Sequence, residues 1–310
     1  MNLSPLQKAR YEYSPKLPGM LRNGIAEIAV KEGEKDVYKR QVIVEIKSRS
    51  IYRMAKKAIL VVSFGTSVNA TREKTIDRIE ADIQKLMPDR AFYRAWTSGM
   101  IIRKIEKRDG VHINTVEEAM EQMLSDGITD VIVQPTHVIR GIEYDQLKET
   151  VLEKGKEFEQ VRIGTPLLTT SEDADAVLQA VMAEIGAIGK EETVVFMGHG
   201  TPHDINSIYT ELDQRLKELG YPQAFMGTVE AEPTLDTLLE KVKTLQVKRV
   251  ILAPFMVVAG DHAMNDMAGD EDDSWKSTFE KAGYEVECIL KGLGEYPAVR
   301  QIYVKHAMES

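Results

Sequence analysis

The chain has 310 residues, 43% of them hydrophobic, enough for two ordinary domains or one domain with a tail. A formal charge of −9 argues against general nucleic-acid binding, and six histidines with a single cysteine, Cys288, allow neither an intrachain disulfide nor a thiolate cluster. No apolar run reaches the roughly 20 residues of a membrane span and no secretory signal opens the chain, so a cytoplasmic enzyme or binding protein is expected.

Residues 1–53 differ in character from the rest of the chain. They are polar and charge-rich, with two prolines in "YSPKLPG" and one short apolar alternation in "QVIVEI". We expect an atypical N-terminal extension, flexible or artefactual. Its opening faintly resembles that of pyrophosphate-dependent phosphofructokinases, but the chain has nothing like that enzyme's catalytic region. The character changes at Met54, which reads as a plausible true start.

From Ala58, apolar runs alternate with amphipathic stretches. "AILVVSF" reads as a strand covered on both faces. "TREKTIDRIEADIQKLM" reads as one helix with Ile76, Ile79, Ile83 and Leu86 on its buried face. "AFYRAWTS" is a second strand. "TVEEAMEQMLSDG" is a helix with Thr115 and Glu118 as a capping box and Gly127 as its stop. "DVIVQPTHVI" is a third strand, holding His137 as a core histidine, and "YDQLKETVLEKGKEF" and "VRIGTPLL" add a helix and a strand. The alternation predicts parallel sheets with helices on both faces.

The pattern then repeats. "AILVVSFGT" aligns with "TVVFMGHGT", "FYRAWTS" with "FMGTVEA", and "DVIVQPTHVIRGIEY" with "RVILAPFMVVAGDHA". Three matches in one order argue for duplication. The predicted fold class is α/β: two similar Rossmann-like domains, 54–184 and 185–310, with parallel sheets flanked by helices and an active-site cleft between them.

Ligands of open parallel sheets bind beyond the carboxyl ends of the strands. In the second half those ends carry His199, Glu230 and His262; in the first, "SFGTS", Thr97-Ser98 and Glu143. Two imidazoles and a carboxylate suit a divalent first-row metal with open positions. Each also has a plainer reading: His199 as decoration of a turn, Glu230 as a solvated loop acid, His262 as a helix-start residue bonded to Asp266. His203 reads as surface, His112 and His306 as peripheral. The acidic run at 265–276 reads either as a cation concentrator or as a solvated loop and helix start. Arg94, Arg103, Lys104 and Arg140 are candidates for binding carboxylates, or ordinary surface. No glycine pattern supports a nucleotide.

The stretches "LVVSFGTS", "WTSGMIIRK", "VVFMGHG", "VEAEP" and "VAGDHAMNDMAGDEDDSWK" together resemble the anaerobic sirohydrochlorin cobalt chelatases of cobalamin biosynthesis, ATP-independent class II enzymes with a ferrochelatase-like fold. The likeness covers about residues 54–305. It implies His199, Glu230 and His262 as metal ligands and Glu143 as a further active-site acid. The family often has Asn-Gly-Asp-Glu where this chain has Arg140-Gly141-Ile142-Glu143. On that resemblance the chain inserts Co2+ into sirohydrochlorin with release of two protons; His199, Glu143 and His262 serve catalysis. Fe2+ or Ni2+ insertion is also compatible. Ser63, Phe64, Thr66, Arg94, Ser98 and Arg103 are expected at the macrocycle, and no nucleotide, nucleic acid or membrane is expected as partner. The oligomeric state is left open, a homo-oligomer included. Rival readings are a divalent-metal storage or delivery protein and a two-lobed small-molecule receptor.

Overall fold

The computed structural model describes residues 55–310, so the expectations for 1–53 lie outside the described residues. The first sheet is built from β1 (Lys57–Ser63), β2 (Ala91–Trp96), β3 (Asp130–Pro135) and β4 (Gln160–Ile163), in the order β2-β1-β3-β4. The second uses β5 (Glu192–Gly198), β6 (Ala224–Thr228), β7 (Arg249–Pro254) and β8 (Glu285–Cys288), in the order β6-β5-β7-β8. Every pairing is parallel, and the two orders are the same. The α/β class and the repeat read from the sequence are therefore present in the backbone.

The first half carries α1 (Asn69–Lys74), α2 (Ile76–Leu86), α3 (Gly99–Asp109), α4 (Val116–Ser125), α5 (Ile142–Lys154) and α6 (Ser171–Ile185). The second carries α7 (Ser207–Glu218), α8 (Leu235–Lys243), α9 (Trp275–Lys281) and α10 (Pro297–Met308). Local chemistry sets many of the ends. Thr115 and Glu118 form the expected capping box of α4, Thr170 and Asp173 form another at α6, and Gly127 beyond α4 takes φ 74°.

Three local expectations change. The single helix expected from Thr71 breaks at Thr75, whose φ −119° and ψ −84° separate α1 from α2. Leu86 is exposed, and Glu80 is buried in the same helix instead, because Arg94 of β2 reaches it. Strand β3 stops at Pro135, so His137 stands beyond it. Cys288 is half-buried on the edge strand β8.

Helix α10 returns to the first half. It packs on α2, α6 and β3. Arg300 bonds Asp82 at 2.6 Å, and the Tyr303 hydroxyl donates to the Thr136 carbonyl at 2.8 Å. His306, peripheral on the sequence reading, is buried in this seam, 3.3 Å from an Asp173 oxygen. Ile59 and Val61 of β1, Phe196 of β5, Tyr209 of α7 and Val304 of α10 belong to one continuous apolar cluster. Each such side chain gains about 1.5–3 kcal/mol on burial, so the shared cluster joins the halves into one body.

Candidate metal and macrocycle site

His199 follows the last residue of β5. Gly198 before it has no room for a side chain: a methyl there would stand 2.3 Å from Cε1 of Tyr209. Gly200 after it takes φ 86°, which favours glycine. The Tyr209 ring thus floors the turn that presents His199. Its hydroxyl is shifted upward by burial; the Gly200 and His199 amides oppose the shift, and the Glu143 carboxylate adds to it.

Two backbone bonds bring the next loop alongside. The Val229 amide donates to the Gly198 carbonyl at 3.1 Å, and the Glu230 amide to the His199 carbonyl at 3.0 Å. His262 comes from the loop after β7, at the start of a π-helical turn, Ala263–Met267. The result is a cluster: one ligand atom from each of His199, Glu230 and His262 lies within 4.8 Å of the others. The imidazole rings meet edge to face, with centroids 4.8 Å apart.

Each ring is held through Nδ1. His199 Nδ1 lies 2.9 Å from the Gly200 carbonyl, and His262 Nδ1 lies 2.6 Å from Asp266 Oδ2. A carbonyl can only accept, so Nδ1 of His199 carries the hydrogen. The Asp266 carboxylate favours the same tautomer at His262. Both rings then present a bare Nε2 lone pair, suited to a metal. The bond from His262 to Asp266 anticipated as a plainer alternative is present, and it orients the ring.

Across from this cluster lies the carboxyl edge of the first sheet. Val258 packs against the Trp96–Ile102 cluster, and a methyl on Gly260 would stand 3.7 Å from Thr66 Oγ1. Glu143 sits half-buried in the first turn of α5, near enough to the Tyr209 hydroxyl to influence it. His203 is not free surface: its Nε2 lies 3.3 Å from Asp145 Oδ2 of α5, a link between halves beside the cleft.

The residues expected at the macrocycle divide. Phe64 is 42% exposed at the end of β1. Arg103 is exposed and curls over Gly99, with Nη1 3.2 Å from where a methyl on that glycine would be. Ser63, Thr66 and Ser98 are buried and serve the backbone or a neighbouring hydroxyl. Ser63 Oγ accepts from the Thr136 hydroxyl at 2.8 Å, Thr66 Oγ1 accepts from the Val68 amide, and Ser98 Oγ caps α3.

Arg94 is a correction to the sequence reading. Its guanidinium is committed to Glu80, at 2.9 Å through Nε, and to Asp77. It lines a separate cavity of about 470 Å3 with Arg72 and Asp109, which none of the three clustered residues reaches. Burial lifts the Glu80 carboxyl above its usual range, and Arg94 only partly offsets this. In the acidic run, Ser274 caps α9, and Asp270 and Asp272 pair with Lys276 and Lys281. That is the solvated loop and helix start.

The cobalt chelatase family model, CbiK, matches residues 57–310. The chain belongs to this family. The sirohydrochlorin cobaltochelatase of Salmonella typhimurium is 43% identical over 251 residues, 81% of this chain and 95% of that protein. Sirohydrochlorin cobaltochelatase CbiKC of Nitratidesulfovibrio vulgaris is 34% identical over 256 residues, 82% of this chain and 90% of that one. Among solved structures, Bacillus subtilis SirB with Fe3+ superposes with a TM-score of 0.58 at 17% identity, covering 82% of this chain and 95% of SirB. A second, cobalt-bound SirB structure gives 0.53 at 16%, covering 82% of this chain and 94% of SirB. At those identities the superpositions speak for the fold. Among the described residues no helix is long and apolar enough to cross a membrane.

Proposed function

We propose that this chain inserts Co2+ into sirohydrochlorin with release of two protons and without a nucleotide. The observation that carries this reading is the convergence of His199, Glu230 and His262 on one cation-sized space, opposite the edge of the other sheet. The family and both relatives named above agree with it. The 54–184 and 185–310 halves would form the two walls of the cleft, with α10 shared.

The reaction has two demands. Co2+, a substrate here, must shed water and leave the protein's donors, and two pyrrole N–H bonds must break while four metal–nitrogen bonds form. His199 and His262, through Nε2, and Glu230, through a carboxylate oxygen, would replace part of the hydration shell and hold the ion at the macrocycle face. Glu143, from the opposite wall, would receive a pyrrole proton. With Nδ1 already donating to Gly200, His199 can take a proton only at Nε2, so ligation and base duty fall at successive moments. Arg103 and the N-terminus of α3 would offset substrate carboxylates, with Phe64 against the ring. Fe2+ and Ni2+ would be accepted by the same donor set.

A single-turnover mixture of protein, Co2+ and metal-free sirohydrochlorin, followed by the absorption of the macrocycle, tests this. Insertion should outpace the buffer reaction and fall toward it in His199→Ala and His262→Ala. A storage protein would bind the metal and leave the buffer rate unchanged.

A further inference from the structure

The sequence suggests a core role for His137, but the structure places it at the rim of the first sheet. Thr136 fixes the backbone there: its amide donates to the Val62 carbonyl at 2.8 Å and its hydroxyl to Ser63 at 2.8 Å. The His137 carbonyl accepts from the Leu167 amide at 2.9 Å. The ring then leans over the end of β1 toward Thr97, just past β2, with Nε2 3.5 Å from Thr97 Oγ1. Both side chains are half-buried, beside the exposed Phe64.

Two features set this ring apart from a satisfied core histidine. Nδ1 is buried and has no hydrogen-bond partner, whereas buried polar atoms are nearly always paired. An orphan acceptor costs less than an orphan N–H, so the hydrogen belongs on Nε2, facing Thr97. That contact is at the outer limit of a hydrogen bond, which leaves the imidazole N–H and the threonine O–H slack and side by side. In addition, burial alone pushes the ring's pKa down to about 4, with no charged neighbour contributing. The ring is an uncharged donor waiting beside a second donor.

We propose that His137 and Thr97 form a subsite that binds one carboxylate side chain of the macrocycle, on the wall opposite His199, Glu230 and His262. The inference rests on reading the substrate as an acidic tetrapyrrole. One carboxylate can accept from both donors. The ring stays neutral, because a second proton could go only to the buried, unpartnered Nδ1; the carboxylate's own charge makes both hydrogen bonds charge-assisted. The subsite thus recognises an acid side chain without a standing positive charge that other anions would occupy.

The test uses the whole protein and metal-free sirohydrochlorin, titrated by fluorescence without Co2+. His137→Phe and Thr97→Val should each weaken binding about 10-fold, corresponding to 1.4 kcal/mol, and the double variant should lose less than the product. His137→Asn, which keeps a donor, should recover part of the loss. Co2+ affinity measured alone should not move in any of them, which guards against misfolding. The fully methyl-esterified macrocycle should bind wild type and His137→Phe alike. Ring-nitrogen NMR at neutral pH should show His137 uncharged with its hydrogen on Nε2 in both states, and the Nε2 signal should move when the macrocycle binds. Unchanged sirohydrochlorin affinity in His137→Phe, or an Nε2 signal that does not move on binding, overturns the subsite while leaving the chelatase reading intact. If wild type neither binds nor metallates the macrocycle, that reading falls and the subsite with it.

Discussion

Asp266 Oδ2 lies 2.6 Å from Nδ1 of His262, one helical turn further along the chain, so a carboxylate stands directly behind a proposed metal ligand. Such outer partners fix the tautomer and raise the basicity of the ring, and losing one typically costs 10–100-fold in metal affinity. Asp266→Asn should therefore lower Co2+ affinity in calorimetry by roughly 10–100-fold, with an unchanged thermal midpoint, because both side chains are partly exposed.

The three proposed ligands should be more sensitive still. His199→Ala, Glu230→Gln and His262→Ala should each reduce Co2+ binding by more than the roughly 10–100-fold expected of an outer partner. Insertion rates should fall with binding. A variant that loses Co2+ binding yet metallates sirohydrochlorin at the wild-type rate would remove that residue from the site.

Gly198 and Tyr209 make a packing prediction. Gly198→Ala forces the Tyr209 ring away from a contact that would be 2.3 Å, at a cost of about 1–3 kcal/mol. The thermal midpoint should drop and Co2+ affinity should fall, because the turn presenting His199 rests on that ring. Adding Tyr209→Leu should recover stability more than affinity.

Asp130 supplies a pH dependence. Its own burial would raise the carboxyl, but Arg90, gripping both oxygens at 3.1 Å, and Arg162 at 2.8 Å outweigh this and hold it below the usual range. A lowered folded value means its stabilisation is complete above the unfolded pKa of about 3.9 and is lost as pH falls through the folded value. Asp130→Asn should cost about 2–3 kcal/mol near pH 7, less than a fully buried pair because Arg162 is partly exposed. It should also flatten the stability curve in acid. Urea midpoints from about pH 7 to about pH 2 report both effects.

The order of strands and helices is legible in the sequence because apolar runs and helical periodicity are local signals. The Thr115–Glu118 box can be read for the same reason. Even the candidate trio stands out, since each member comes after a run recognisable as a strand. What periodicity cannot carry is a partner far along the chain. Arg94 looks free to bind a carboxylate because nothing near it in sequence announces Glu80, and Leu86 looks buried because the spacing that marks a helix face does not say how far the neighbouring layer extends. His137 reads as a strand residue because its apolar flanks continue past Pro135. The pairing with β4 ends at Val133 and the pairing with β1 at Pro135, closed by the bond from the Thr136 amide to the Val62 carbonyl. The return of α10 to the first sheet has no local signature at all.

That returning helix makes the chain resemble a belt buckled back onto its own first half. With Arg300 fastened to Asp82 and Tyr303 to the end of β3, each lobe keeps one apolar cluster of its own and shares the largest with its neighbour. Melting should therefore proceed as a single cooperative event. A motion that parted the halves would release the lighter clasp between Asp145 and His203 before it loosened this helix.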